Sequence, residues 1–267
     1  MQTKKILILI LSVMSLCSHA QSFYVRAGLG AAICTAPRLQ YSSTSVRITD
    51  STSYTITESK RGGLGDGIPI VAAAGYYFSE HFGVELGVDY FTGFSHKTVD
   101  NFSFASETQK IHGSMLALVP GFVMKIDLDK INPYARIGLM IGILNNAITN
   151  KTFENTVSRA KDYGGIAVGA QIAIGAEYPL SDLLSIFGEV NMDGISWSPK
   201  KGKLTKYTES GRDLLADMPV HQKSWVYDKS LASSQTINED EPEHKSAINY
   251  SFTNAGLIVG VKINLGK

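Results

Sequence analysis

Over residues 82–90 apolar and polar positions alternate without exception, with Phe82, Val84, Leu86, Val88 and Tyr90 on one parity and Gly83, Glu85, Gly87 and Asp89 on the other. Successive side chains of a strand point to opposite sides, so this segment predicts a strand with one greasy wall and one wall of carboxylates and glycines. The pattern recurs. Residues 24–30 set Tyr24, Arg26, Gly28 and Gly30 against Val25, Ala27 and Leu29. Residues 134–143 set Ala135, Ile137, Leu139, Ile141 and Ile143 against Tyr134, Arg136, Gly138, Met140 and Gly142, and 166–178 set an apolar row against Gly169, Gln171, Gly175 and Glu177. In 184–193 the polar parity holds Ser185, Glu189, Asn191 and Asp193, with Phe187 and Gly188 breaking the purity, and in 256–265 it holds Gly256, Gly260, Lys262 and Asn264. Residues 68–78 and 116–126 are apolar on nearly both faces, and Pro120 in the second requires a bulge or a locally broken ladder.

Eight strands follow, at about 22–34, 67–78, 82–94, 111–126, 132–145, 164–178, 183–197 and 250–265. Their connections alternate strictly in length. Long links span 35–66, 95–110, 146–163 and 198–249, whereas Ser79-Glu80-His81, Asp127-Leu128-Asp129-Lys130-Ile131 and Pro179-Leu180-Ser181-Asp182 are tight turns. A soluble sandwich has no reason to sort its connections this way. An all-β, up-and-down antiparallel transmembrane barrel of eight strands does, with short turns on the periplasmic side and long extracellular loops.

The first residues fix a compartment consistent with that fold. Lys4 and Lys5 precede an apolar run over 6–16 and the small-residue pattern Ser18-His19-Ala20, which together read as a cleaved signal peptide at 1–20 with the barrel domain at 21–267. The run is shorter than the roughly 20 residues of a spanning helix. Loss of the two lysines takes the formal net charge from +1 to −1, so nothing in the balance argues for a nucleic-acid partner. Of two cysteines only Cys34 follows the leader, which excludes an intramolecular disulfide. No cofactor or metal is expected from any motif.

Three stretches carry a family likeness: Ser22-Phe23-Tyr24-Val25-Arg26-Ala27-Gly28-Leu29-Gly30, the hairpin from Ala74-Gly75-Tyr76-Tyr77-Phe78 to Gly83-Val84-Glu85-Leu86-Gly87, and Gly256-Leu257-Ile258-Val259-Gly260-Val261-Lys262-Ile263. In these the chain resembles the eight-stranded outer-membrane barrels, which include OmpA-like and OmpX-like barrels and the porin-family barrels of Bacteroidetes. The resemblance implies a place in the cell outer membrane of a Gram-negative bacterium, contact with outer-membrane lipid and lipopolysaccharide, and delivery by the barrel-insertion machinery. Members commonly end in an aromatic residue that this machinery reads, whereas this chain ends Asn264-Leu265-Gly266-Lys267. A wall-anchoring domain after the barrel is not expected.

The inward parity collects Arg26, Lys125, Arg136 and Lys262 with Glu85, Asp89, Glu177, Glu189 and Asp193. An eight-strand barrel is just wide enough for its own side chains to fill, and charges of both signs in so narrow a space are expected to pair into a polar network that plugs the lumen. A proton or ion pathway is the sharper alternative. Gly28 and Gly30 are expected to make room for the Arg and Tyr side chains inside the barrel. The glycines of 62–67 are expected to bend the chain as it re-enters the wall; neither set lies in the strand-to-helix context of a phosphate loop. His112-Gly113-Ser114 is similar to the His-x-Ser of outer-membrane lipid A deacylases, but Met115 stands where those enzymes have Asn, and both side chains share the lipid-facing parity of Leu116. The last long link gathers Lys200, Lys201, Lys203 and Lys206 early and Glu239, Asp240, Glu241 and Glu243 late, and residues 42–57 alternate as an extension of the first hairpin above the membrane. The resulting functional expectation is a non-enzymatic surface barrel whose loops at 35–66 and 198–249 serve adhesion, envelope integrity or binding of an extracellular ligand. A small pore or a lipid-modifying enzyme are the alternatives.

Overall fold

The computed structural model describes residues 22–36, 39–49, 52–101, 106–128, 130–230 and 238–265. The predicted leader at 1–20 lies outside them, as do Gly266 and Lys267 of the non-aromatic ending. In chain order the strands are β1 (Ser22–Cys34), β2 (Leu39–Thr49), β3 (Thr52–Gly62), β4 (Gly67–Tyr77), β5 (Phe82–Gly93), β6 (His96–Asn101), β7 (Ser106–Lys125), β8 (Asn132–Phe153) and β9 (Thr156–Tyr163). They continue with β10 (Ala167–Pro179), β11 (Leu184–Trp197), β12 (Lys201–Glu209), β13 (Arg212–Asp213), β14 (Ser224–Asp228), β15 (Glu243–Ser246), β16 (Tyr250–Ser251) and β17 (Asn254–Asn264). One helical turn, α1 (Val220–Lys223), precedes β14.

Eight of these strands close a ring. β1 pairs β4, β4 pairs β5, β5 pairs β7, β7 pairs β8, β8 pairs β10, β10 pairs β11, β11 pairs β17, and β17 returns to β1, every step antiparallel. Closure leaves no edge inside the membrane, where an unpaired backbone group has no water to turn to. Each of the eight predicted strands coincides with one of the eight in the ring.

The hydrophobic parity faces outward. Leu29, Leu86, Phe122, Ile137, Ile174 and Val259 are each about half exposed or more, as a belt bathed in lipid must be. Aromatic rings flank that belt: Phe23 and Tyr76 meet at 4.8 Å near the periplasmic turns, and Tyr90 and Phe94 stand exposed at the opposite rim. Two of the turns are built alike. Phe78 N–H donates to Phe82 O, and Phe82 N–H donates to Ser79 Oγ at 3.0 Å. Leu180 N–H donates to Leu184 O, and Leu184 N–H donates to Ser181 Oγ at 3.1 Å.

Pro120 breaks the ladder on one side only. It sits opposite Leu86 of β5, but towards β8 the pairing passes from Leu118↔Ile141 to Gly121↔Gly138 and skips it. A bulge lies elsewhere, where Leu116 faces Leu144 and Ala117 faces Gly142, so that Ile143 is the extra residue.

The long links depart from the expectation of loops. β7 begins at Ser106 and β8 runs on to Phe153, so strands expected to stop at 111 and 145 continue beyond the membrane belt. β6 pairs β7, β9 pairs β8, β12 pairs β9, and β14 pairs both β12 and, in parallel, β15. The link at 39–62 is a hairpin of β2 with β3, in keeping with the extension expected of residues 42–57. The barrel wall therefore rises outside as a sheet. Above the belt the outward face meets water rather than lipid, the two-sided contrast weakens, and strand can no longer be told from loop by parity.

Candidate functional site

β1 and β8 stand opposite each other in the ring, with β5 and β11 halfway between on either side. The opposed strands carry one signature, Tyr24-Val25-Arg26-Ala27-Gly28 and Tyr134-Ala135-Arg136-Ile137-Gly138. The halfway strands each present a glutamate, Glu85 and Glu189. Arg26 grips Glu85 with Nε and Nη2, both at 2.9 Å, and reaches Glu189 with Nη1 at 3.3 Å. Arg136 grips Glu189 with Nη2 at 2.7 Å and Nε at 3.2 Å, and reaches Glu85 with Nη1 at 3.0 Å. Tyr24 Oη donates to Glu85 and Tyr134 Oη to Glu189, both at 2.8 Å. Two cations and two anions thus share a neutral, mutually chelated knot, in the bidentate geometry that makes arginine–carboxylate pairs strong.

Backbone register sets this up twice. Tyr24 lies opposite Gly75, and Gly75 opposite Glu85. Tyr134 lies opposite Gly175, and Gly175 opposite Glu189. In each half the intervening glycine lets the tyrosine ring cross the neighbouring strand to its glutamate. The knot has a pseudo-two-fold plan, matched by the paired turns below it.

The remaining expected residues fall into layers above and below. Gln171 Nε2 donates to Asp89 at 2.9 Å and to Asp193 at 3.0 Å, while Asn191 and Asn254 also donate to Asp193 at 3.3 and 3.4 Å. Towards the periplasm Lys262 Nζ meets both oxygens of Glu177 at 2.8 and 2.9 Å and lies 4.3 Å from the Tyr24 ring centre. Lys125 stands apart. It pairs with Asp127 at 2.9 Å at the periplasmic mouth, beside the Tyr77 ring. That mouth holds a pocket of about 440 Å³ bordered by Tyr77, Lys125, Asp182 and Asn264.

The glycine expectation needs correcting. Gly28 makes room for neither Arg26 nor Tyr24. It faces Gly260 across β17, and a Cβ at either would stand 3.0 or 2.6 Å from Phe187 Cζ. Phe187 points inward, its ring 5.2 Å from the Arg26 guanidinium, so the residue that spoils the alternation of β11 is the lid of the knot on that side.

Sequence reading missed the outer half of the lumen, which is apolar. Trp197, Phe252 and Leu64 are fully buried there, with Phe91, Met115 and Met140 around them. Trp197 stacks on Tyr250 at 5.5 Å and donates from Nε1 to Gly164 O at 2.8 Å. Leu64 enters from the chain ahead of β4, where a Cβ at Gly65 would stand 2.5 Å from Thr253 O, so that glycine serves a close backbone approach. No parity signal marks Leu64, which comes from a connecting segment, whereas Phe252 lies in the expected strand 250–265 and shares the inward parity of Gly256, Gly260 and Lys262.

Above the plug, Asp162 of β9 accepts from Trp225 Nε1 at 3.1 Å, Tyr227 Oη at 2.9 Å and Tyr250 Oη at 2.7 Å. This buried carboxylate ties β9, β14 and β16 to the barrel top. Burial, with the Asp162 charge beside it, pushes the Tyr227 phenol well above its usual range, so it stays a donor.

Across the β7–β8 ladder His112 faces Ile148 and Ser114 faces Asn146. Ser114 Oγ accepts from Asn146 Nδ2 at 2.8 Å, across the β7–β8 ladder, and is buried. Among the described residues no group of three His, Cys, Asp or Glu side chains is placed to hold a metal ion.

Among solved structures the chain is similar to Ail, the attachment invasion locus protein of Yersinia pestis, at 7% identity and a TM-score of 0.32, covering 92% of this chain and 97% of that one. It is also similar to Ail in complex with the heparin analogue sucrose octasulfate, at 8% identity and a TM-score of 0.33 with the same coverage. No curated protein matches. The model of the outer membrane protein beta-barrel domain matches residues 6–201, which takes in all but the last strand of the ring. With that match over more than half of its length, and with a ring of eight strands closed by β17, the chain belongs to the family of outer membrane proteins with a β-barrel domain.

Proposed function

We propose that this protein is a non-enzymatic, non-conducting barrel that holds a structured sheet outside the cell for adhesion, envelope integrity or partner binding. The observation that carries the reading is the filling of the lumen by successive layers: the Lys262–Glu177 pair, the double Arg–Glu knot, the Asp89–Gln171–Asp193 layer and the Trp197–Phe252 plug. A transport path would need that interior, whereas a scaffold gains rigidity from it. In this reading a leader ending at Ala20 exports the chain, the barrel-insertion machinery seats it, and lipopolysaccharide surrounds its outer rim.

The test is made on whole bacteria that depend on this protein for adherence to a matrix-coated surface. Replacing residues 150–158, the tip of the β8–β9 hairpin, by an Asn-Gly turn should lower adherence while the barrel still migrates differently on gels with and without boiling. Undiminished adherence after this replacement, and after matching exchanges of the β2–β3 and β12–β13 turns, would remove the loops as the working part.

A further inference from the structure

Where the wall rises above the lipid belt, its outer face is cationic, and its charges stand directly opposite one another. Lys97 of β6 pairs with Lys110 of β7, and the same row passes through Asn150 of β8 to Arg159 of β9 and Lys206 of β12. The row beneath runs His112, Ile148, Lys161, Lys203. Below that come Ser114, Asn146, Tyr163 and Lys201, and then the lipid-facing Leu116 and Leu144. The parity is outward, because Lys110, His112 and Ser114 share the side of Leu118 and Phe122 on one uninterrupted strand. No Asp or Glu occupies an outward position on β6, β7, β8, β9 or β12 above the belt.

Like charges directly opposite on neighbouring strands destabilise a sheet, and here Lys97↔Lys110, Lys161↔Lys203 and Arg159↔Lys206 do so three times over. A face that merely met water would be expected to mix signs. Carboxylates are present on the inward side of these same strands, in Glu107, Asp162 and Glu209, so their absence outward is one-sided. Among the described residues none of the six cations in these pairs is bridged to a carboxylate.

Position names the anion. Two residues separate Leu116 and Leu144 from the row of Lys201, and four separate them from the row of Lys161 and Lys203, or about 7 and 13 Å along strands that tilt in the membrane. Tyr163, half-buried and with Lys203 Nζ 5.9 Å from its ring centre, is an aromatic at the depth where such rings mark the interface. Long lysine side chains on this rim reach the headgroup layer from either row. We infer that the outward face of β9 and β12, continued by Lys97 and Lys110, is a binding surface for the phosphate groups of the outer-leaflet lipid. It goes beyond the adhesion reading, which concerns the loop tips, and it rests only on the outer-membrane placement.

The experiment uses the full protein, folded in neutral detergent, and titrates it with lipid A bearing both phosphates and with lipid A from which they have been removed. The native protein should prefer the phosphorylated lipid by at least about tenfold at low salt, and the preference should shrink as salt is raised. The variant Arg159→Gln/Lys161→Gln/Lys203→Gln/Lys206→Gln should lose that preference while keeping the boiling-dependent gel shift. Equal binding of the two lipids, or a variant with the full preference, overturns the inference. So does tighter binding of a soluble sulfated oligosaccharide than of phosphorylated lipid A, which would assign the face to a polyanion outside the membrane.

Discussion

Tyr24 lies across Gly75: a Cβ at position 75 would stand 2.2 Å from Tyr24 Cζ and 2.3 Å from its hydroxyl oxygen. The arrangement is repeated by Tyr134 and Gly175, where the corresponding approach is 2.7 Å. Each glycine is the gap through which a tyrosine reaches a glutamate two strands away. The ring cannot simply swing aside, since its hydroxyl is held by Glu85. Gly75→Ala should therefore cost about 1–3 kcal/mol, as overpacking of a filled interior does. Urea unfolding in lipid vesicles measures it, and Gly211→Ala, at a position with open space around it but a positive φ of 83°, separates crowding from backbone strain.

The double knot makes charge balance matter more than any one pair. Glu85→Gln leaves two guanidinium groups facing one carboxylate and should lower stability by about 3 kcal/mol or more. Arg26→Met added to it restores one cation against one anion, Arg136 with Glu189, and should recover part of that loss. A double-mutant cycle should give a coupling of about 1 kcal/mol or more between the two residues. Additive losses would show that Arg26 and Glu85 act independently.

Which parts of this were legible in the chain follows from where contrast exists. Inside the membrane, lipid and lumen differ so sharply that parity placed Glu85, Glu189, Arg26 and Arg136 on the inner wall from sequence alone. It could not say that each arginine chelates one glutamate and touches the other, because that depends on which strands lie two apart around the ring. The Tyr-x-Arg-x-Gly signature of β1 and β8, and the Glu-x-x-x-Asp spacing shared by Glu85–Asp89 and Glu189–Asp193, are the signals that would have revealed the pseudo-two-fold plan. Leu64 left no such trace, since connecting segments carry no period, whereas Phe252 keeps the inward parity of Gly256 and Lys262. Above the rim, strand and loop look alike in sequence, and the pairs Lys161↔Lys203 and Arg159↔Lys206 emerge only from register.

Asp162 should behave as a local fastener. Asp162→Asn weakens three hydrogen bonds to a charged acceptor, from Trp225, Tyr227 and Tyr250. The expected result is faster protease cleavage within 198–249, with the boiling-dependent gel shift of the barrel unchanged. Loss of the shift would mean that the outer sheet and the membrane ring fold as one cooperative unit.

Trp197 reports on the plug, being one of only two tryptophans in the chain. In a Trp225→Phe background its fluorescence should resist quenching by acrylamide, and Phe252→Ala should expose it by removing a ring 6.4 Å away. Ready quenching without that change would mean that water already reaches the outer lumen.

The account stands most directly on the closed lumen, and ion conductance across a planar bilayer reads it without intermediaries. Purified protein inserted at a density confirmed by labelling should give no unitary current steps on either sign of applied voltage. Reproducible steps of fixed size from the native protein, absent from bilayers without it, would contradict a barrel plugged by its own side chains.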